Sequence, residues 1–528
     1  MKNRFKLNFT AIAIIVAVTT SCSKSTFKLS GTLEGITDGV IILSSMEDRK
    51  IADTAKIENG KFEFTGDIPT PTYYYLRIED KPYGHLYFYA ENAKMTLIGH
   101  GDTLNKAVIT GGKTQDYANE IAKLTEELSE KYKATELISE LYGRDGRGPV
   151  TAQREGEIND LLAKYREDIN LGKIEFIKSH PKAFYSSILV GQVANGKSAE
   201  DIEYFIGLLD PKLAEQPRIV KLREKAEELK KTEVSISSFI KDAHNLVYKV
   251  DNNYKGADHK EVAYLAVLSN NNVCALKNDG TVRIIKPDGS VLKEFKSGLK
   301  SKPSAIAVGK EDKIFVFGSI TEMKSVEVRG QTREIATPVG VECIVFNAGG
   351  SKLKEMRLEG VVTATGAKVT NKNILIADTR GRKIMIFDAE TGQSSSSIEN
   401  LRTCCGILDF AIRNDSEVLV ANLGAFRVEG FDYSGKSLIS FGQRGTTLDD
   451  FHGCCNPVSV GFLSNGGVVT VEKDPTRIKV YSSEGAKKIE GIEELVKGCA
   501  FIPMTVDSND NVYLASKTGG IIKCSGSI

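Results

Sequence analysis

The chain has almost no excess of either charge. Its 70 Lys+Arg stand against 69 Asp+Glu, a formal net charge of +1 over 528 residues. That balance argues against a nucleic-acid partner, which would need a basic footprint. Beyond residue 22 no apolar run approaches the roughly 20 residues a spanning helix needs. Histidine is scarce, with six in all, and His452 is the sole one after His259. No C-x-x-C occurs, and there is no Ser/His/Asp set, phosphate loop or carboxylate pair at useful spacing. Asp507-Ser508-Asn509-Asp510-Asn511 lacks the Gly and terminal Glu of a calcium loop and is set aside. These absences leave no catalytic constellation, so a non-enzymatic binding protein is the leading expectation.

What is present begins with a processing segment, excluded from fold reasoning. Lys2, Arg4 and Lys6 form a basic start, Phe9 to Val18 is a short apolar run, and Thr19-Thr20-Ser21-Cys22 puts small residues before a cysteine. The pattern resembles, in relaxed form, the lipobox of bacterial lipoproteins. The resemblance implies a signal peptide over 1–21, lipidation of Cys22, and a short tether over 22–25. The three basic residues leave with the peptide, taking the formal charge from +1 to −2. Ser23 is not the Asp of inner-membrane retention, and no acidic cluster marks surface display. The expected location is the cell envelope, lipid-anchored in the outer membrane and facing the periplasm. Of 9 cysteines, lipidation leaves eight, an even number in a compartment that favours disulfides.

The fold class expected is mainly β and multidomain: an antiparallel β-sandwich, a helical linker, and a six-bladed β-propeller. Residues 26–115 alternate strand patterns with turns. Asn59-Gly60 separates Ala55-Lys56-Ile57 from Phe62-Glu63-Phe64, a strong hairpin signal. Tyr73 to Leu76 and Leu86 to Tyr89 are aromatic strands. Leu29-Ser30-Gly31, Asp53-Thr54-Ala55 and Asn59 to Gly66 resemble an N-terminal domain of unknown function found in periplasmic lipoproteins. Residues 116–235 switch to helical period, with Tyr117, Ile121, Leu124, Leu128 and Tyr132 on one stripe and Ile158, Leu161, Leu162, Tyr165 and Ile169 on another. Ser198-Ala199-Glu200-Asp201 reads as a helix start. In the similar lipoproteins a thioredoxin-like reductase comes next. Here Glu233 to Phe239 leads elsewhere, and without C-x-x-C that activity is not inherited.

From about residue 262 the chain repeats. Matching second strands begin at Val273, Lys313, Ile374, Val418, Val468 and Val512, giving six units within 236–528. The pattern resembles an NHL-repeat propeller, with an insertion around Val326–Pro338 in the second unit. The last unit stops after a third strand, and Asn245 to Val250 is the candidate strand to close the ring. Arg283, Arg382, Arg427 and Arg477 recur at the repeat period, and structural pairing with acidic neighbours is the simpler reading.

The chemistry-bearing residues are spaced at that same period. Cys404 and Cys405, then Cys454 and Cys455, then Cys499 each precede an inner strand, with His452 nearby. Three readings stand open. Thiolates and an imidazole suit copper or zinc as a metal site. Disulfides could staple neighbouring loops. Adjacent cysteines could exchange disulfides as redox chemistry. Cys274, Cys343 and Cys524 lie in apolar strands and are expected to pack as small hydrophobes. The partners expected are a membrane, through the lipid, and a protein or small-molecule ligand on the propeller face.

Overall fold

The computed structural model describes residues 26–528 except 48–49, 82–83, 145, 147–149, 329–330, 454, 474, 497–500, 517–518 and 528. Cys22, Cys454 and Cys499 therefore lie outside the described residues. The chain forms two compact units that divide between Lys123 and Leu124.

The first unit holds β1 (Phe27–Glu34), β2 (Asp38–Ser45), β3 (Ile51–Glu58), β4 (Lys61–Gly66), β5 (Thr72–Ile78), β6 (Leu86–Ala90), β7 (Lys94–His100) and β8 (Val108–Thr110). Their order is β6-β5-β2-β3-β4-β1-β7-β8. β3 and β4 share a single pair, Glu58 with Lys61. Asn59 and Gly60 between them have φ of 49° and 73°, the left-handed pair that a two-residue hairpin requires. The sheet doubles over at this hairpin. Leu29 and Phe64 of one half and Ile41, Leu76 and Phe88 of the other then share one core. The sandwich is thus one continuous sheet, and it departs from antiparallel order at β1 and β7, which pair in parallel.

Six longer helices follow: α1 (Lys113–Tyr132), α2 (Ala134–Leu141), α3 (Ala152–Ser179), α4 (Phe184–Val193), α5 (Ala199–Gly207) and α6 (Pro217–Thr232). Side-chain caps mark the starts of α3 and α5. Thr151 accepts from the Arg154 N–H ahead of α3, and Ser198 accepts from the Asp201 N–H ahead of α5. On α3 the expected stripe buries Ile158, Leu162 and Ile169, while Leu161 stays exposed. No helix among the described residues is long and apolar enough to cross a membrane.

The propeller has six four-stranded blades. Their innermost strands are Val262–Val267, Lys302–Val308, Ala364–Val369, Asp409–Asn414, Ser459–Phe462 and Met504–Val506. The sixth blade takes its outer strand from β9 (Val247–Val250), which pairs antiparallel with the final strand from Val247↔Ser527 to Val250↔Cys524. The ring is also fastened at its turns. The Ser508 N–H and Oγ both donate to Asn271, at 3.0 and 2.8 Å, tying blade six to blade one. Ser269 makes the same contact with Asp312, and Ser464 with Asp510. The blade-two insertion lengthens its second and third strands into a hairpin, Ile314–Val328 with Gln331–Phe346. Cys274, Cys343 and Cys524 are buried in strands, as expected. Burial pushes the Cys274 and Cys524 thiols up to about 12, so they are inert.

Candidate functional site

In an up-and-down blade, the link from the outermost strand to the next blade leaves from the same end as the turn between second and third strands. That end of blades four and five carries the cysteines and His452. It is also where the helices dock.

The link over residues 442–458, between blades four and five, is held from beneath by a buried ionic cluster. Lys479 and Glu472 are both 0% exposed. The Lys479 ammonium lies 2.8 Å from the Glu472 carboxylate and donates to the carbonyls of Leu448 and Asp450. It also stands over the Phe451 ring. Glu472 accepts from Arg477 at 2.7 Å and from the His452 backbone N–H at 3.0 Å. Burial lowers the Lys479 ammonium to about 8, against the pull of Glu472. Asn456 clamps the far side, donating to the Lys473 carbonyl at 2.6 Å and accepting from its N–H at 2.8 Å. At Gly442, in a left-handed turn (φ 83°), a Cβ would run into the Phe451 ring.

This anchoring brings Cys455 to the link before blade four. Cys404 and Cys455 form a disulfide with Cα atoms 6.5 Å apart, closing 51 residues of chain. Cys405 is exposed and keeps its thiol, with Sγ 3.5 Å from that of Cys404. The three sulfurs lie within 4.8 Å of one another. Two of the three cysteine-bearing links thus converge, as their period implies. In the disulfide form one thiol remains. Once reduced, the trio would offer three soft ligands, the donor set that copper(I) and zinc prefer. His452 does not join the group. It faces the helices instead, 8% exposed, and its buried Nε2 has no hydrogen-bond partner among the described residues. Burial, with Arg477 and Arg166 close by, lowers its imidazole to about 4 and keeps it neutral.

The helices are fastened to this end through Arg427, which is 1% exposed. Its guanidinium donates to Glu233 at 3.0 Å, to Ser440 and to the Lys197 carbonyl at 2.6 Å. The Arg444 N–H donates to the Gly196 carbonyl at 2.7 Å, and Arg402 donates to Asn195. Residues 233 and 440 pair as a parallel bridge. Between α3, α4, α5 and the 442–458 link lies a cavity of about 280 Å³, with His452, Arg166, Lys197 and Arg444 in its wall. The central channel holds a second space of about 260 Å³, lined by inner-strand residues such as Leu265, Ile306, Val369 and Phe462, with Lys368 as its one charged lining residue among the described residues. At the link end of the channel, burial raises the Asp409 carboxyl above its usual range. Ser459 donates to it.

The recurrent arginines behave mostly as structural partners. Arg283 pairs with Glu294, Arg427 with Glu233 and Arg477 with Glu472, whereas Arg382 donates to the Leu401 carbonyl. His259 is buried, its Nε2 lies 2.7 Å from the Gly289 carbonyl, and its Nδ1 faces Arg283. Asp507 accepts from the N–H groups of Asn509 and Asn511, making its segment a blade turn. Sequence reasoning missed the cavity, its cations and the Lys479–Glu472 pair.

Comparison with known proteins adds little chemistry. The family model named Domain of unknown function (DUF4369) matches residues 27–117. No curated protein matches the chain. Among solved structures, the chain is similar to "Streptogramin B lyase structure" at 10% identity and a TM-score of 0.36, covering 54% of this chain and 100% of that one. The WD40 propeller domain of Doa1 gives 12% identity and 0.36, covering 53% and 97%. The Pan2 WD40 domain of Neurospora crassa gives 11% and 0.32, covering 50% and 75%. The blade count and closure rest on this chain's own strand pairing.

Proposed function

We propose that this chain is a lipid-anchored binding protein of the bacterial envelope, held in the outer membrane and facing the periplasm, which recognises its ligand or protein partner on the propeller. The observation that carries the binding role is the helical cover over one end of the propeller, which leaves a cavity between two fastened surfaces. Pre-organised concave sites of this kind bind with little ordering cost. The anchor rests on the Lys2 to Cys22 pattern. The resemblance to NHL-repeat propellers is consistent with a recognition role, and a fold alone specifies no ligand.

The test is to purify the full chain natively from its own envelope and release bound small molecules by denaturation for mass spectrometry. In parallel, photo-crosslinking residues on the propeller would trap a protein partner. A reproducible ligand or one specific crosslinked partner is expected, and obtaining neither overturns the reading. Cys22→Ala should abolish uptake of labelled lipid, and continued uptake would refute the anchor.

A second reading is favoured by the Cys405 thiol, 3.5 Å from a disulfide sulfur. A Cys405 thiolate attacking the Cys404 sulfur would form a 404–405 disulfide and release Cys455 as a thiolate, which takes up a proton. That exchange needs no external oxidant. Metal analysis with a thiol count before and after reduction separates the readings. Copper or zinc near one per chain, bound by the reduced trio, supports a metal role. An inert disulfide and no metal support the binding role alone.

A further inference from the structure

We propose that the Cys404, Cys405 and Cys455 sulfurs, once a dithiol has opened the disulfide, together hold one copper(I) ion. The proposal rests on the thiol reading above and names the ion and what admits it. Local backbone builds the site. Cys405 and Gly406 have φ of 54° and 69°, and the Ile407 N–H donates to the Cys404 carbonyl at 3.0 Å. Two successive left-handed residues make a primed turn, whose first central position is usually Asn, Asp or Gly. A cysteine held there is the kind of backbone outlier that clusters at functional sites. In an extended chain adjacent side chains point to opposite faces, whereas this turn leaves the Cys404 and Cys405 sulfurs 3.5 Å apart. The approach to the turn is pinned as well. The Arg402 N–H donates to Asn422 at 2.7 Å and the Thr403 hydroxyl to the Thr379 carbonyl at 3.0 Å. Cys455 arrives from the other link, next to the Asn456 clamp on Lys473.

The donor set chooses between ions. The group offers three sulfurs and, among the described residues, no imidazole or carboxylate. Zinc is of borderline softness and takes four ligands, so a water or a further protein group would have to complete it here. Copper(I) is soft and is satisfied by thiolates alone. The exposure of Cys405 gives the ion a way in, whereas Cys274, Cys343 and Cys524 are buried. Loading then runs in two steps. The dithiol passes two electrons and two protons to the Cys404–Cys455 bond and leaves as a disulfide. Copper(I) next displaces the three thiol protons. A disulfide-bearing oxidant reverses the sequence: Cys404 and Cys455 rejoin, and the ion departs. Three protons return, two to the oxidant, which leaves as a dithiol, and one to Cys405. Ion and disulfide therefore exclude each other, and the site loads only when reduced.

The test titrates the purified full chain with copper(I) under anaerobic conditions, against a coloured copper(I) chelator, before and after reduction by dithiothreitol and its removal. The reduced protein should take up one copper(I) with three sulfur neighbours in X-ray absorption, and the oxidised protein none. Zinc, titrated against a zinc chelator, should bind about tenfold or more weakly than copper(I). Cys405→Ser keeps the disulfide and should weaken copper(I) about tenfold or more, leaving two sulfur neighbours. Cys404→Ala/Cys405→Ala/Cys455→Ala keeps the buried cysteines and should take up no copper(I), with a cooperative melting transition to show that it is folded; should it not fold, Cys405→Ser decides. Cys454→Ser and Cys499→Ser should leave binding unchanged. The proposal is overturned by copper(I) uptake in the oxidised protein, by a fourth sulfur neighbour, or by uptake that survives the triple variant. Tighter binding of zinc also overturns it and leaves a metal role standing. Binding of neither ion by the reduced protein rejects the metal role as well.

Discussion

The Cys404–Cys455 disulfide closes 51 residues, and its removal gives a worked prediction. In the chain-entropy model a loop of that length removes about 14 cal/mol/K from the unfolded ensemble, or about 4 kcal/mol at 25 °C. The bond joins the links before blades four and five, so the effect should fall on the propeller. At about 2.1 cal/mol/K of unfolding entropy per residue, a propeller of roughly 290 residues would lose about 7 °C in its melting temperature. Cys405→Ala is the proper reference, because it blocks exchange with the neighbouring thiol. Calorimetry would compare that variant with Cys404→Ala/Cys405→Ala/Cys455→Ala, both unreduced. A difference below about 1 °C, or peptide mapping that finds Cys404 bonded elsewhere, would refute the assignment.

Three further outcomes follow from the same end of the propeller and from its seam. Glu472→Gln removes the counter-charge of buried Lys479 and of the largely covered Arg477 and should destabilise by about 3–5 kcal/mol, read from denaturant midpoints; a loss under about 1 kcal/mol would contradict the buried cluster. Lys479 titrates near 8 in the folded chain, below the 10.5 of the free side chain. The unfolded chain therefore holds the extra proton between those values, and stability relative to Lys479→Met should rise with pH from about 8 to 10.5; a flat or falling difference rejects it. Gly256→Ala would drive a Cβ into the Ile521 carbonyl, next to the closing strand, and should cost about 2 kcal/mol or more as overpacking against rigid backbone; an unchanged melting temperature would count against the seam.

Much of the fold was legible because local chemistry dictated it. Asn59-Gly60 could scarcely be anything but a hairpin turn, and the recurring Val-rich second strands fixed the blade count. The missing fourth strand of blade six pointed back to Val247–Val250. Lys479 and Glu472 were illegible for a physical reason. Polar residues in an alternating strand usually mark a solvent face, but a propeller blade packs both faces against its neighbours, so alternation loses its meaning. Glu472 ends a run in which every residue from Val468 is buried. For the site, period alone placed Cys404, Cys405 and Cys455 together. His452 shares the link of Cys455, yet its side chain turns to the helices, because docking between distant segments leaves no periodic trace.

The closing strand also sets a schedule. β9 is made early, yet its partner lies some 270 residues further on, in the final strand. At about 5–20 residues per second, the ribosome needs about 15–55 seconds to supply it. Over that interval β9 has no edge to join, and the sixth blade remains the last to form. A stop codon that removed only residues 520–528 would spare every other blade's sequence, yet it would leave the ring open on both sides of the seam. Such a near-complete product would present two unpaired strand edges, the kind that pair with other chains.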